Sequence, residues 1–170
     1  MTRVAAAGER PSVLLVDDRP ENLLALTAVL EPLDARLVTA GSGEEALRAL
    51  LHEDFAVVLL DVQMPGMDGF ETAGYIRGRE RSARTPIIFL TAVSTDVAQV
   101  LRGYEAGAVD YVLKPFEPVV LRSKVAVFAE LDRHRRARER ADELLRRAWE
   151  SSPAGAAIVD PGGRILEVNP

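Results

Sequence analysis

Residues 56–60 read AVVLL and run directly into Asp61. Five apolar residues with no polar break suit a strand covered on both faces, because a half-buried strand would alternate. Two further runs share this texture. Ser12–Val16 (SVLLV) ends on Asp17 and Asp18, and Pro86–Leu90 (PIIFL) ends on Thr91. Two weaker runs, Ala35–Thr39 (ARLVT) and Val109–Leu113 (VDYVL), bring the set to five, the last ending on Lys114 and Pro115.

The stretches between these runs carry helix-start signals. Pro20 opens ENLLALTAVL, as a first-turn proline can. Ser42 and Glu45 stand at capping-box spacing before ALRALL, and Asp68 with Glu71 repeats it. Ser94 suits the cap of a helix over TDVAQVLRGYEAG that stops at Gly107, and Pro118 suits the start of a last one. Five strands alternating with five helices predict the doubly wound α/β class, a five-stranded parallel sheet wrapped on both faces.

The last helix does not stop where a compact domain would end it. From Val119 to about Glu150 there is no Pro or Gly, enough for roughly 45 Å of continuous helix. Residues 1–130 hold 13 Lys/Arg against 19 Asp/Glu, whereas residues 131–150 hold 7 against 5. The acidic part and the Arg-rich part are thus different kinds of segment. Val120, Val127, Leu131, Ala141, Leu145 and Ala148 recur at coiled-coil spacing, with Lys124, His134 and Arg138 interrupting. A solvated helix laced with Arg–Glu pairs accounts for the same pattern equally well. Beyond Glu150 the texture changes to SSPAGAAIVDPGGRILEVNP, in which turn signals flank two strand-like runs, GAAIVD and RILEVN. Twenty residues cannot build a core, so this tail is expected to open a further domain cut off at Pro170.

Composition closes off several classes. The chain has 170 residues, 48% hydrophobic and 28% charged, with no cysteine. It can bury a core, and it has neither disulfides nor thiolate metal sites. No apolar run approaches the roughly 20 residues of a membrane span, and the N-terminus lacks a signal-peptide stretch. A soluble, cytoplasmic protein is expected, with no membrane partner. The net charge of −5 argues against direct nucleic-acid binding.

Ligands of doubly wound sheets bind beyond the carboxyl ends of the strands. Asp17, Asp18, Asp61, Thr91 and Lys114 all fall there. Each residue alone has an ordinary explanation as a cap, a turn former or a solvated charge; their coincidence at four of five strand ends does not. Three neighbouring carboxylates repel one another, and a divalent cation relieves that repulsion. Mg²⁺ suits such a rim because it takes one or two carboxylates and fills its shell with water and phosphate oxygens. A carboxylate can also serve as the nucleophile that becomes an aspartyl phosphate. A metal ion and an ammonium would then stabilise the phosphoryl oxygens, and the Thr91 hydroxyl would add a hydrogen bond.

Four blocks, VDDRPEN (Val16–Asn22), LLDVQMPGMDGF (Leu59–Phe70), PIIFLTA (Pro86–Ala92) and DYVLKPF (Asp110–Phe116), resemble in order and spacing those of response-regulator receiver domains. The resemblance covers residues 11–130, after a tail over 1–10 that is expected to be disordered, and implies the flavodoxin-like strand order 2-1-3-4-5. It implies Asp61 as phosphoacceptor. Asp18, Asp61 and the backbone carbonyl of Gln63 become ligands of Mg²⁺, with Mn²⁺ an alternative, and Asp17 positions the metal's waters. Thr91 and Lys114 contact the phosphoryl oxygens, with a cis peptide at Lys114–Pro115. Tyr111 resembles the aromatic that turns inward as Thr91 is drawn to the phosphate, although an ordinary half-buried strand tyrosine fits the position too. The implied partner is a histidine kinase or phosphotransfer protein.

The tail over 151–170 resembles the beginning of a PAS sensor domain, joined to the receiver by a helical connector over 131–150. A homodimer is expected, through that connector or through the face formed by the fourth helix, fifth strand and last helix. Two other readings remain. A Mg²⁺-dependent phosphohydrolase also uses an Asp nucleophile, but it usually carries a second Asp two residues on, where this chain has Gln63. A DNA-binding regulator would draw on LDRHRRARER, yet five acids interleave the seven Arg of residues 131–150 and no helix-turn-helix pattern follows.

Overall fold

In a computed structural model of the chain, residues 10–92, 110–152, 155 and 157–169 are described. The chain divides into two units, Met1–Arg133 and His134–Pro170. In the first, strands β1 (Ser12–Val16), β2 (Arg36–Ala40), β3 (Val57–Asp61), β4 (Ile87–Thr91) and β5 (Asp110–Leu113) form one sheet in the order β2-β1-β3-β4-β5, every pairing parallel. Helices α1 (Pro20–Leu30), α2 (Gly43–His52) and α3 (Gly69–Arg77) connect them, and α4 (Pro118–Glu150) follows β5 and runs on into the second unit. These four helices are the ones described. The fifth expected helix, with its Ser94 cap and Gly107 stop, lies outside the described residues, as does Val109 at the expected start of the last strand.

Every residue of β1, β3 and β4 is buried, as their unbroken apolar runs require. Alternation along each strand divides the core between the two faces of the sheet. Leu14, Val16, Val58, Leu60, Ile87 and Phe89 pack with Ala46, Leu47, Leu50, Ala73 and Ile76 of α2 and α3. Val13, Leu15, Val57, Leu59, Ile88 and Leu90 pack with Leu26 and Leu30 of α1 and with Leu121 and Val125 of α4. The edge strands β2 and β5 are only partly buried.

Three strands begin one residue later than their apolar runs, and β3 and β4 therefore include Asp61 and Thr91. Apolar runs report packing, whereas strand bounds follow the backbone ladder. The ladder continues past the last apolar residue, with the Val62 amide donating to the Leu90 carbonyl at 3.1 Å.

The helix starts are built as their residues suggest, with one difference. Asp68 and Glu71 form a complete capping box. Ser42 accepts from the Glu45 amide, but the Glu45 carboxylate takes the amide of Gly41 rather than that of Ser42. Pro20 occupies the first turn of α1, whose N-cap residue Arg19 makes no side-chain cap.

In the second unit, β6 (Ala157–Val159) and β7 (Ile165–Val168) pair antiparallel. The Asp160 carboxylate accepts from the amides of Gly162 and Arg164, and Gly163 takes a φ of 83° that favours glycine. No helix among the described residues is long and apolar enough to cross a membrane.

One glycine governs the approach of α3 to β3. A Cβ on Gly69 would lie 2.3 Å from the Asp61 carbonyl oxygen and 2.8 Å from Val62 Cα, both backbone atoms that cannot swing aside. Gly74, in the same helix, has nothing within 4 Å of its would-be Cβ. Gly69→Ala is expected to destabilise the fold by about 1–3 kcal/mol, and Gly74→Ala to stabilise it by up to about 1 kcal/mol. Urea denaturation of both variants checks this; equal effects would contradict the close approach.

Candidate functional site

Strand register brings two acids together. β1 and β3 are adjacent, and the chain leaves β1 toward β2 but β3 toward β4, so the two connections part and open a crevice at the carboxyl ends of these strands. Val16 pairs with Leu60, which sets the next residues, Asp17 and Asp61, side by side. With Asp18, one carboxylate oxygen from each of the three lies within 4.8 Å of the others. Asp17 is fully buried, Asp61 is 6% exposed, and Asp18 is half-buried at the rim.

Lys114, 97 residues beyond Asp17, reaches into this cluster. Its Nζ stands 2.9 Å from Asp17 Oδ2 and 3.1 Å from Asp61 Oδ1, one ammonium between two carboxylates. The Lys114 amide donates to the Thr91 carbonyl at 2.7 Å, and the Lys114–Pro115 peptide is cis. Thr91, 7% exposed, ends β4. Gln63 is exposed just past β3, and its backbone amide donates to the Asp61 carboxylate.

Burial pushes the Asp61 carboxyl above its ordinary 3.8, because desolvation disfavours the charged form. The Lys114 charge and hydrogen bond pull it back, the Asp17 charge raises it, and the Gln63 amide lowers it. The site thus holds a carboxylate whose negative charge is incompletely compensated.

Tyr111 is half-buried on β5, its ring centroid 5.5 Å from that of Phe89. Phe89 in turn meets Phe70 edge-on at 5.1 Å. The position therefore contacts the core face that carries α2 and α3.

The structure brings Asp17, Asp18, Asp61 and Lys114 into one cluster, and places Thr91, Gln63 and Tyr111 at the ends or on the flank of the strands that carry it. One residue in VDDRPEN drew no role from the sequence. Asn22 Nδ2 lies 2.9 and 3.0 Å from the two oxygens of Asp17. A spacing of five residues across a strand-to-helix turn matches neither the helix nor the strand period, so only the Pro20 start hinted that Asn22 sits in the first turn.

A family model described as the response regulator receiver domain matches residues 13–126. This chain belongs to the response regulator receiver family. Transcriptional regulatory protein AfsQ1 of Streptomyces coelicolor is 37% identical over 159 residues, 94% of this chain and 64% of that protein. A probable cyclic di-GMP phosphodiesterase of Vibrio cholerae is 39% identical over 114 residues, 67% of this chain and 25% of that protein. Among solved structures, chemotaxis protein CheY4 of Vibrio cholerae matches with a TM-score of 0.65 at 31% identity, covering 68% of this chain and 96% of that one. The chain spans less than two thirds of the length of the curated relatives it matches. Receiver domains are signalling modules of two-component systems.

In this receiver, Lys114 is the charge that lets two buried acids coexist. Lys114→Met leaves both uncompensated, and removing one partner of a buried pair costs about 3–5 kcal/mol; the partial exposure of Lys114 puts this case near 2 kcal/mol. The sign of the pH dependence follows from Asp61. Without Lys114 its folded-state carboxyl rises further above 3.8, so the loss is full where Asp61 is ionised and shrinks as pH falls through that raised value. Denaturation from pH 8 down to pH 4 checks this, with the loss expected to shrink toward the acid end; a loss constant across the range would contradict it.

Proposed function

We propose that this receiver is the phosphoacceptor of a two-component phosphorelay and that Asp61 takes the phosphoryl group. The observation that carries the reading is the single ammonium of Lys114 shared by Asp17 and Asp61, with Asp18 alongside. Three acids with one lysine leave surplus negative charge, which fits a divalent cation of the Mg²⁺ kind. Asp18, Asp61 and the backbone carbonyl of Gln63 would hold Mg²⁺ or Mn²⁺, with Asp17 orienting its waters. When bound, the ion neutralises phosphoryl charge as it approaches the carboxylates.

The step is an in-line displacement. An Asp61 oxygen attacks phosphorus and forms the P–O bond of an acyl phosphate. The bond from phosphorus to a histidine nitrogen of the kinase, or to the acyl oxygen of a small donor, breaks with its electron pair on the leaving group. Lys114 follows the phosphoryl oxygens away from Asp17, and the Thr91 hydroxyl donates to one of them. Movement of Thr91 frees space into which Tyr111 turns, shifting a two-state equilibrium of the domain.

The receiver over 11–130 would act on an output through the connector over 131–150. Val120, Val127, Leu131 and Leu145 are between 49% and 69% exposed along α4, which supports a parallel dimer through that helix. The antiparallel β6–β7 pair supports reading 151–170 as the opening of a PAS-like domain.

Incubation with Mg²⁺ and acetyl phosphate, followed by intact-mass measurement, tests the acceptor. Wild type is expected to gain one phosphoryl group and Asp61→Asn none. A full phosphoryl gain on Asp61→Asn would overturn the assignment.

A further inference from the structure

Asp17 is a carboxylate with no exposed surface and three donors. Its Oδ1 accepts from the Arg19 amide at 3.0 Å and from Asn22 Nδ2 at 2.9 Å. Its Oδ2 accepts from the same Asn22 nitrogen at 3.0 Å and from Lys114 Nζ at 2.9 Å. Among the described residues, only Asn22 touches both oxygens. Asp17 offers only acceptors when ionised, so the amide must present its nitrogen.

The three donors differ in permanence. Lys114 is shared with Asp61 and leaves Asp17 when a phosphoryl group arrives, on the reading given above. The Arg19 amide is fixed by the start of α1 but holds a single oxygen. Asn22 is held at its own backbone, its amide donating to the Arg19 carbonyl at 3.0 Å. Asn22 is also neutral. A second cation in its place would compete with a divalent ion for the carboxylate, whereas an amide orients the carboxylate and adds no positive charge.

We propose that Asn22 is a positioning residue for the cation site: by clamping both oxygens of Asp17 it keeps that carboxylate aimed at the metal's waters, both while Lys114 is in place and after it departs. The proposal rests on the phosphoacceptor reading and adds a residue to it. Partners that orient a ligating or water-holding carboxylate commonly carry a tenfold or larger share of metal affinity.

Asn22→Ala and Asn22→Leu test this, because Ala and Leu are better helix formers than Asn. A role confined to the first turn of α1 would leave these variants as stable as wild type or more so. Mn²⁺ dissociation constants from electron paramagnetic resonance and Mg²⁺ constants from calorimetry are measured on the full chain, with circular dichroism checking that each variant is folded. Both variants are expected to bind both ions about tenfold more weakly. The Mg²⁺ concentration giving half-maximal phosphorylation by acetyl phosphate is expected to rise by the same factor, while the rate at saturating Mg²⁺ stays within about threefold of wild type. Unchanged dissociation constants in both variants would overturn the proposal, as would a lost saturating rate at unchanged affinity. Wild type that binds ions and accepts phosphate beside unaffected variants defeats the Asn22 role alone; wild type that binds neither ion defeats the phosphoacceptor reading along with it.

Discussion

Two carboxylates held side by side at the ends of adjacent buried strands, with a third at the rim, are the constraint around which this receiver is arranged. Asp17 and Asp61 are neighbours because each directly follows the last pair of the β1–β3 ladder, Val16 with Leu60. Like charges so placed repel, and water cannot screen them, because Asp17 is fully buried and Asp61 nearly so. The fold answers with one ammonium, that of Lys114, and with neutral donors from Asn22, Arg19 and Gln63. One positive charge against three acids leaves the site with surplus negative charge, which a divalent cation would offset.

The rest of the receiver holds that arrangement still. β1, β3 and β4 are sealed on both faces, so the positions of Asp17, Asp61 and Thr91 follow from a close-packed core rather than from loop conformation. Gly69 lets α3 begin against the Asp61 carbonyl, which keeps the loop after Asp61 short-tethered to the strand. On the other flank, the contacts from Phe70 through Phe89 to Tyr111 link the start of α3 to β5. A change at the strand ends therefore meets packed aromatic surface on the side that carries α2 and α3.

Much of this was legible in the residues because burial and chemistry write different signals. Unbroken Val, Ile and Leu runs marked the three covered strands, and polar residues at their ends marked the rim. Asp68 and Glu71 announced a capping box that the structure completes. Other features depend on contacts that no local spacing encodes. The run ending at Leu60 did not reveal that backbone pairing continues through Asp61, since pairing depends on β4. Glu45 stands at capping-box spacing from Ser42, yet its carboxylate reaches the Gly41 amide. Asn22 and Gly69 matter through atoms of other elements, Asp17 and the Asp61 carbonyl, and neither has a periodic signature. The helix expected after Ser94 lies outside the described residues.

On the reading proposed above, the rim accepts a phosphoryl group with Asp61 as its nucleophile. Borohydride trapping identifies the nucleophile, because one hydride attacks an acyl phosphate at carbon and expels phosphate to leave the aldehyde, which a second hydride reduces to the alcohol. Wild-type chain treated with Mg²⁺ and acetyl phosphate, reduced and sequenced by tandem mass spectrometry, is expected to carry homoserine at position 61 and aspartate at positions 17 and 18. Homoserine at 17 or 18, or phosphorylated chain with no reduced residue at 61, would contradict it.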